Sequence, residues 1–357
     1  MVHIGYTMMT EQAGPRELVG HVVGAERAGF DFSVISDHSF PWLEAQGHAP
    51  YAWSVLGAAA QATSRIPLMT YVTCPTFRYH PAVIAQKAAT MQLLSEGRFR
   101  LGLGSGENLN EHIVGAGWPA AHVRLDMLEE AVEIIRSLFA GGYVSHHGTH
   151  FDVENARLWD LPDEPPPIGI AVSGDRSCEI AGTYGDLLIA TEPKQELLTV
   201  FAAHGGTGKP SVGQLPVSYD PDPDAAVDRA HRQFRWALGG WKVNAELPGP
   251  AGFAQASQYT RREDVADAYP AVTTWRPSST PYARTRTPDS TRSPSSRSAV
   301  TSRSPSWPGP RPTCCRLWRG SDDLAAERVR VCRLRGGAGA REQGTDGVPH
   351  PAPGNRP

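Results

Sequence analysis

The chain has 357 residues, 40% hydrophobic and 20% charged, a composition that can bury a substantial core in one large domain or two ordinary ones. No apolar run is long enough to span a membrane and no basic-then-apolar leader follows Met1, so a soluble cytoplasmic protein is the expectation. The net charge of −3 conceals a division: residues 1–270 hold 19 Lys and Arg against 31 acids, and residues 271–357 hold 15 Arg against 6.

From the N-terminus, apolar β-branched runs alternate with helical patterns. Strands are predicted over 3–7, 32–36, 68–73, 99–104, 168–173, 186–191 and 212–219. Helices are predicted over 16–28, 81–94 and, most clearly, 124–139, where Leu125, Leu128, Val132, Ile135 and Phe139 recur at three- and four-residue spacing. Nearly continuous apolar strands separated by helices imply a parallel sheet covered by helices. Seven such units fit a (β/α)8 TIM barrel that lacks a proper eighth strand; a doubly wound open sheet is the alternative. Polar and glycine-bearing residues recur just after the strands, at Asp37-His38, Thr73-Cys74, Gly104 to Glu107, Ser173-Gly174 and Thr191. A barrel gathers these on one face, whereas an open sheet spreads them along an edge, and the convergence favours the barrel.

Two constellations carry chemistry. Gly102, Gly104 and Gly106 alternate after a strand, so a backbone can approach a ligand closely there. The spacing is GxGxG, and Asp126 lies inside a helical pattern, which excludes a Rossmann dinucleotide site. Asp37-His38 at a strand end supplies an imidazole beside a carboxylate, suited to general acid–base work near neutral pH. His146-His147-Gly148-Thr149-His150 sits in a polar, turn-rich insertion without thiol or acidic partners, so no metal is expected. Gly205 to Lys209 lacks the spacing of a phosphate loop, and Pro210 stands where Ser or Thr is needed. The five cysteines, Cys74, Cys178, Cys314, Cys315 and Cys332, form no metal-ligand or disulfide framework.

The segments SDHSFPW, PTFRYHPAVIAQ and GSGENLNE, with ENARLWDLPDEPPPI between later strands, resemble the luciferase-like superfamily of flavin- and deazaflavin-dependent oxidoreductases. The resemblance runs from about Gly5 to Pro270 and is greatest to the group with coenzyme F420-dependent glucose-6-phosphate dehydrogenases. It implies a luciferase-like barrel, a homodimer, coenzyme F420 (or FMN in a monooxygenase relative) and hydride transfer with a small alcohol or sugar phosphate. Residue by residue it implies that Asp37 contacts the deazaflavin, and that His38 and Trp42 flank the reacting carbon, His38 taking the hydroxyl proton. Glu107 is implied as an acid toward the reduced ring, and Val72 lies at a non-proline cis bond behind it. Cys74 stands where a relative has threonine, and Asn110, Ser173 and Gly174 hold the cofactor's tail. Thr191, Lys194 and Lys242 are implied for a substrate phosphate. The arginine completing that site would fall within 267–269, where none is present, so an unphosphorylated alcohol or an enone is an alternative substrate.

The resemblance implies a further helix, strand and helix beyond Pro270. The chain instead has 35 Arg, Ser, Pro and Thr among residues 271–320, too polar to offset the entropy of ordering. With GC-rich codons, a shifted frame from Thr274 can encode an amphipathic helix, an apolar strand and another helix. Residues 1–270 are therefore expected to form an incomplete barrel, and residues 271–357 an out-of-frame, disordered tail rather than a nucleic-acid-binding module.

Overall fold

The computed structural model describes residues 2–192, 194–269 and 271–272. The first half contains β1 (Gly5–Met8), α1 (Pro15–Ala28), β2 (Phe32–Ile35), α2 (Ala52–Ala62), β3 (Leu68–Thr70), α3 (Pro81–Leu94), β4 (Phe99–Leu103), α4 (Asn108–Glu111) and α5 (Ala121–Phe139). An antiparallel hairpin follows, β5 (Val144–His147) and β6 (Asp152–Ala156). Next come β7 (Ile168–Ala171), α6 (Asp175–Tyr184), β8 (Leu187–Ala190), α7 (Gln195–Phe201) and β9 (Ser211–Gly213). The last described elements are β10 (Ser218–Tyr219), α8 (Pro223–Phe234), α9 (Trp241–Asn244), α10 (Pro250–Ala256), α11 (Arg262–Ala268) and β11 (Ala271–Val272).

Seven parallel strands form the main sheet in the order β1-β2-β3-β4-β7-β8-β9, as in a (β/α)8 barrel with seven strands in place. Among the described residues β1 pairs only with β2, and β9 only with β8. The strands alternate their side chains between two cores. Phe32, Val34, Met69, Tyr71, Leu187, Ile189 and Val212 fill the interior. Ile35, Leu68, Leu101, Leu103, Ile168 and Ile170 face the helices, where they meet Leu18, Leu56, Ile84 and Leu128.

Local signals set the helix starts. Pro15 and Pro81 occupy first-turn positions that need no amide donor. His80 accepts from Ala82 N, and Asp222 caps α8 by accepting from Asp224 N.

The structure differs from expectation at two places. The predicted 212–219 strand is divided into β9 and β10, with Pro216 between them; proline cannot donate to a ladder. β10 then pairs with β11 in a separate two-stranded sheet. The histidine-rich insertion is a hairpin anchored by Glu130 of α5, which accepts from the backbone N–H of His150 and Phe151 and pairs with His146 Nε2 at 3.1 Å. The expected out-of-frame tail, its disorder and the missing eighth strand lie outside the described residues.

Candidate active site

In a parallel barrel every strand points its C-terminal end to one face. Glu11 follows β1, Asp37 and His38 follow β2, Val72 and Cys74 follow β3, Glu107 follows β4, Ser173 and Gly174 follow β7, and Thr191 follows β8.

The floor of this face is made by the alternating glycines. A Cβ on Gly102 would lie 2.0 Å from Thr70 O, and one on Gly104 would lie 2.7 Å from Val72 Cγ2 and 3.3 Å from Ala171 Cβ. Gly106, at φ +84°, leaves room for Cys74, whose Sγ would be 2.4 Å from an added Cβ. β3 leans onto β4 through Thr73 N to Gly102 O at 2.9 Å and Gly104 N to Thr73 O at 3.1 Å. The Tyr71–Val72 peptide in this crossing is cis, where the resemblance implies such a bond. Gly104, Val72 and Ala171 thus form a close-set apolar surface capping the barrel interior.

His38 stands at the rim and is buried. Its Nδ1 lies 3.3 Å from Glu11 Oε1 and 3.2 Å from Phe40 O. Both neighbours are acceptors, so Nδ1 carries the proton of the neutral ring and Nε2 carries the lone pair. The carboxylate that sets this tautomer is Glu11, not the adjacent Asp37. Glu11 is itself fixed by Ser36 Oγ, 2.7 Å from Oε2.

Asp37 serves a different network. Its Oδ2 accepts from Thr73 Oγ1 at 2.6 Å and Trp53 Nε1 at 3.1 Å, and its Oδ1 from Tyr79 OH at 3.3 Å. Arg78 Nη2 adds an ion pair at 3.4 Å and also donates to Asp37 O. With its side chain 0% exposed, this carboxylate orders the loop that carries His38. Arg78 also binds Ser39 Oγ and the buried Glu111, joining the loops after β2, β3 and β4. Burial, with Arg78 opposing, holds the Glu111 carboxyl above its ordinary range.

Asn110 is buried and bridges two loops: its Oδ1 accepts from Ser39 N at 2.8 Å and its Nδ2 donates to Glu107 Oε2 at 3.1 Å. Cys74 is buried beside Thr76 Oγ1, and burial together with Glu111 pushes its thiol well up, so it is not a nucleophile at neutral pH. Ser173 N and Gly174 N both donate to Ser177 Oγ at the start of α6.

Trp42 packs against His38, ring centroids 4.9 Å apart, and stacks on Trp236 at 3.9 Å and 8°. Phe253 and Trp241 complete this aromatic wall. Trp42 is thus held by three aromatic neighbours and buttresses the imidazole.

Thr191 and Lys194 are exposed after β8, with Lys194 Nζ 3.0 Å from Glu192 Oε2. Lys242 is exposed on α9, and no interaction among the described residues joins it to either. Its segment docks on α4, Asn108 N donating to Ala245 O and Asn108 Nδ2 to Glu246 O.

Residues 1–279 match the family described as luciferase-like monooxygenase. An F420-dependent glucose-6-phosphate dehydrogenase of Beutenbergia cavernae is 38% identical over 287 residues, covering 77% of this chain and 82% of that protein. Its counterpart in Segniliparus rotundus is 40% identical over 278 residues, covering 74% of this chain and 83% of that protein. Among solved structures, an F420-dependent secondary alcohol dehydrogenase bound to an F420-acetone adduct is 29% identical with a TM-score of 0.70, over 75% of this chain and 84% of that one. The F420-dependent tetrahydromethanopterin reductase of Methanopyrus kandleri, at 20% identity and a TM-score of 0.57, covers 75% of this chain and 85% of that one and shares the fold.

Proposed function

The chain belongs to the luciferase-like monooxygenase family, and from that membership we propose a coenzyme F420-dependent oxidoreductase that moves a hydride between a deazaflavin and the carbinol carbon of a small alcohol. The observation that carries the proton half of this chemistry is the pair of acceptors on His38 Nδ1, which leaves Nε2 as a base.

The residues present fit a flat ring. Gly104, Val72 and Ala171 make an apolar floor that any side chain at position 104 would fill. Cys74 and the cis Tyr71–Val72 peptide lie beside and behind it. Ser173 and Gly174, whose own N–H groups are taken by Ser177 Oγ, lead into the ten-residue α6, whose dipole would favour an anionic tail beside them. When bound, the deazaflavin supplies a two-electron hydride acceptor.

The chain's own residues handle the protons. As the C–H bond gives up its hydride, the hydroxyl proton passes to His38 Nε2, and the Glu11 carboxylate stabilises the resulting imidazolium. Asn110 occupies Glu107 Oε2, so a proton exchanged by that carboxyl resides on Oε1. Trp42, backed by Trp236 and Phe253, keeps the imidazole in place and water away from it. Asp37 and Arg78 position the loop that carries His38.

The test is a spectral titration with F420 and, separately, FMN, followed by anaerobic reduction of bound F420 with secondary alcohols. Saturable F420 binding and alcohol-dependent bleaching are expected. Preferential FMN binding with oxygen consumption would favour a monooxygenase instead.

The proposed setting is a cytoplasmic homodimer acting on a small molecule, without a nucleic-acid partner. None of the helices of the described residues is long and apolar enough to cross a membrane. We further propose that residues 1–270 are the barrel domain and that the arginine-rich sequence from about residue 271 is read out of frame. The charge division and the helix–strand–helix available in the shifted frame support this. Resequencing the gene across codons 260–280 checks it.

A further inference from the structure

Resting on the oxidoreductase reading above, in which Glu107 exchanges a proton, we infer that Arg124 is a positioning residue for that carboxyl. It acts through the two residues that flank Glu107 in the chain, Gly106 and Asn108.

Arg124 lies near the start of α5 with its side chain 3% exposed. On one side its Nη2 binds Glu246 Oε1 at 2.7 Å. The backbone there clasps Asn108, whose N donates to Ala245 O and whose Nδ2 donates to Glu246 O, each at 3.0 Å. On the other side the guanidinium lies over the Trp118 ring, 4.2 Å from its centroid, and Nη1 donates to Pro119 O. The benzo edge of that indole packs on Gly106, where an added Cβ would be 3.3 Å from Trp118 Cη2. One guanidinium thus braces both chain neighbours of Glu107. Apart from the bond from Asn110 to Oε2, the direction of the Glu107 carboxyl follows from the backbone that these neighbours hold.

Packing alone does not account for an arginine here. Among the described residues, Arg124 Nε and Trp118 Nε1 are buried without hydrogen-bond partners, and open buried donors are destabilising. What the guanidinium adds over an apolar side chain is its hold on Glu246 and Pro119. Glu246 is half-exposed, so its carboxylate stays solvated when Arg124 is replaced. Methionine can keep the contact with the indole. Arg124→Met therefore releases the Glu246 segment without leaving a buried, unpaired charge.

The experiment uses the full chain with Arg124→Met, Arg124→Lys, Glu246→Ala, Glu107→Gln and the double variant of Arg124→Met with Glu107→Gln. With F420 and 2-propanol, Arg124→Met is expected to lower kcat about tenfold with KM within about threefold, and Arg124→Lys to recover part of the loss. In the Glu107→Gln background the same change is expected to cost less than about twofold, because the group it positions is already gone. Without cofactor, exchange at the Asn108 amide is expected to speed by at least about tenfold in Arg124→Met and in Glu246→Ala, while α5 stays protected. An unmoved Asn108 amide in a folded Arg124→Met, a rise in KM alone, or equal losses with and without the Glu107 carboxyl would overturn the inference. If Arg124→Met does not fold, Glu246→Ala carries the same readouts from the exposed end of the pair. F420 binding is scored separately by its absorbance. If F420 does not bind, the cofactor reading fails, and the exchange measurement alone decides whether Arg124 holds the residues flanking Glu107.

Discussion

At His38, the proposed proton transfer depends on a carboxylate 27 positions away in sequence and 3.3 Å away in space. Replacing His38 by Asn is expected to lower kcat by about 10²–10⁴ through loss of the base. Glu11→Gln, which keeps the shape but not the charge, is expected to lower kcat by about 10- to 100-fold with little change in KM, since the ring is mis-set only when it must accept a proton. A rise in KM alone would make Glu11 a packing residue. The sequence exposed His38 because it sits at a strand end beside an acid, but it pointed to the wrong acid. Past the end of β2, Asp37 turns to Thr73 and Trp53 while His38 turns to Glu11. Glu11 had no local signal, because its role appears only when β1 and β2 lie side by side. Arg78 was visible only as a letter in a motif, since three loops must converge before its contacts exist.

Among the elements, the β5–β6 hairpin has the most distinctive dependence on pH. Against the upward push of burial, the N–H of Phe151, the His146 side chain and the N–H of His150 hold Glu130 below its ordinary 4.5. A carboxyl with a lowered folded-state value contributes stability above the unfolded value and loses it as pH falls through the folded one. Amides of Val144–His147 and Asp152–Ala156 are therefore expected to lose at least about tenfold of their exchange protection between about pH 5 and about pH 3, ahead of α5. Equal acid sensitivity of hairpin and helix would contradict this. The hairpin escaped sequence reading because its strands are polar and partly exposed, without an apolar alternation. The barrel strands were legible for the opposite reason, since burial on both faces leaves uninterrupted apolar runs. The alternating glycines were legible as a place of close approach, and the partner that approaches them in the structure is β3 with the turn that follows it.

For the whole molecule, the described sheet ends at β1 and β9, each bonded on one side. Unpaired strand edges and the apolar interior beside them destabilise a barrel and invite association. Restoring the shifted frame after residue 270 is expected to raise the melting temperature by about 10 °C or more and to suppress aggregation, as measured by calorimetry and light scattering. A chain that melts cooperatively at the same temperature with either sequence would count against the frame proposal. Seven strands in their observed order were readable because each carries its own hydrophobic run. The division of 212–219 was less so, because apolar residues on both sides of Pro216 conceal the change of partner.

The stacked indoles of Trp42 and Trp236, 3.9 Å apart and 8° from parallel, also have an optical consequence. Two chromophores so placed couple through their intense indole transitions, giving a paired far-ultraviolet circular dichroism band whose sign follows the mutual orientation of their transition moments. Because one of them touches His38, any molecule that settles against the imidazole changes that band. The protein thus carries an intrinsic reporter for occupancy of its reacting end, readable in unlabelled material and before any turnover has begun.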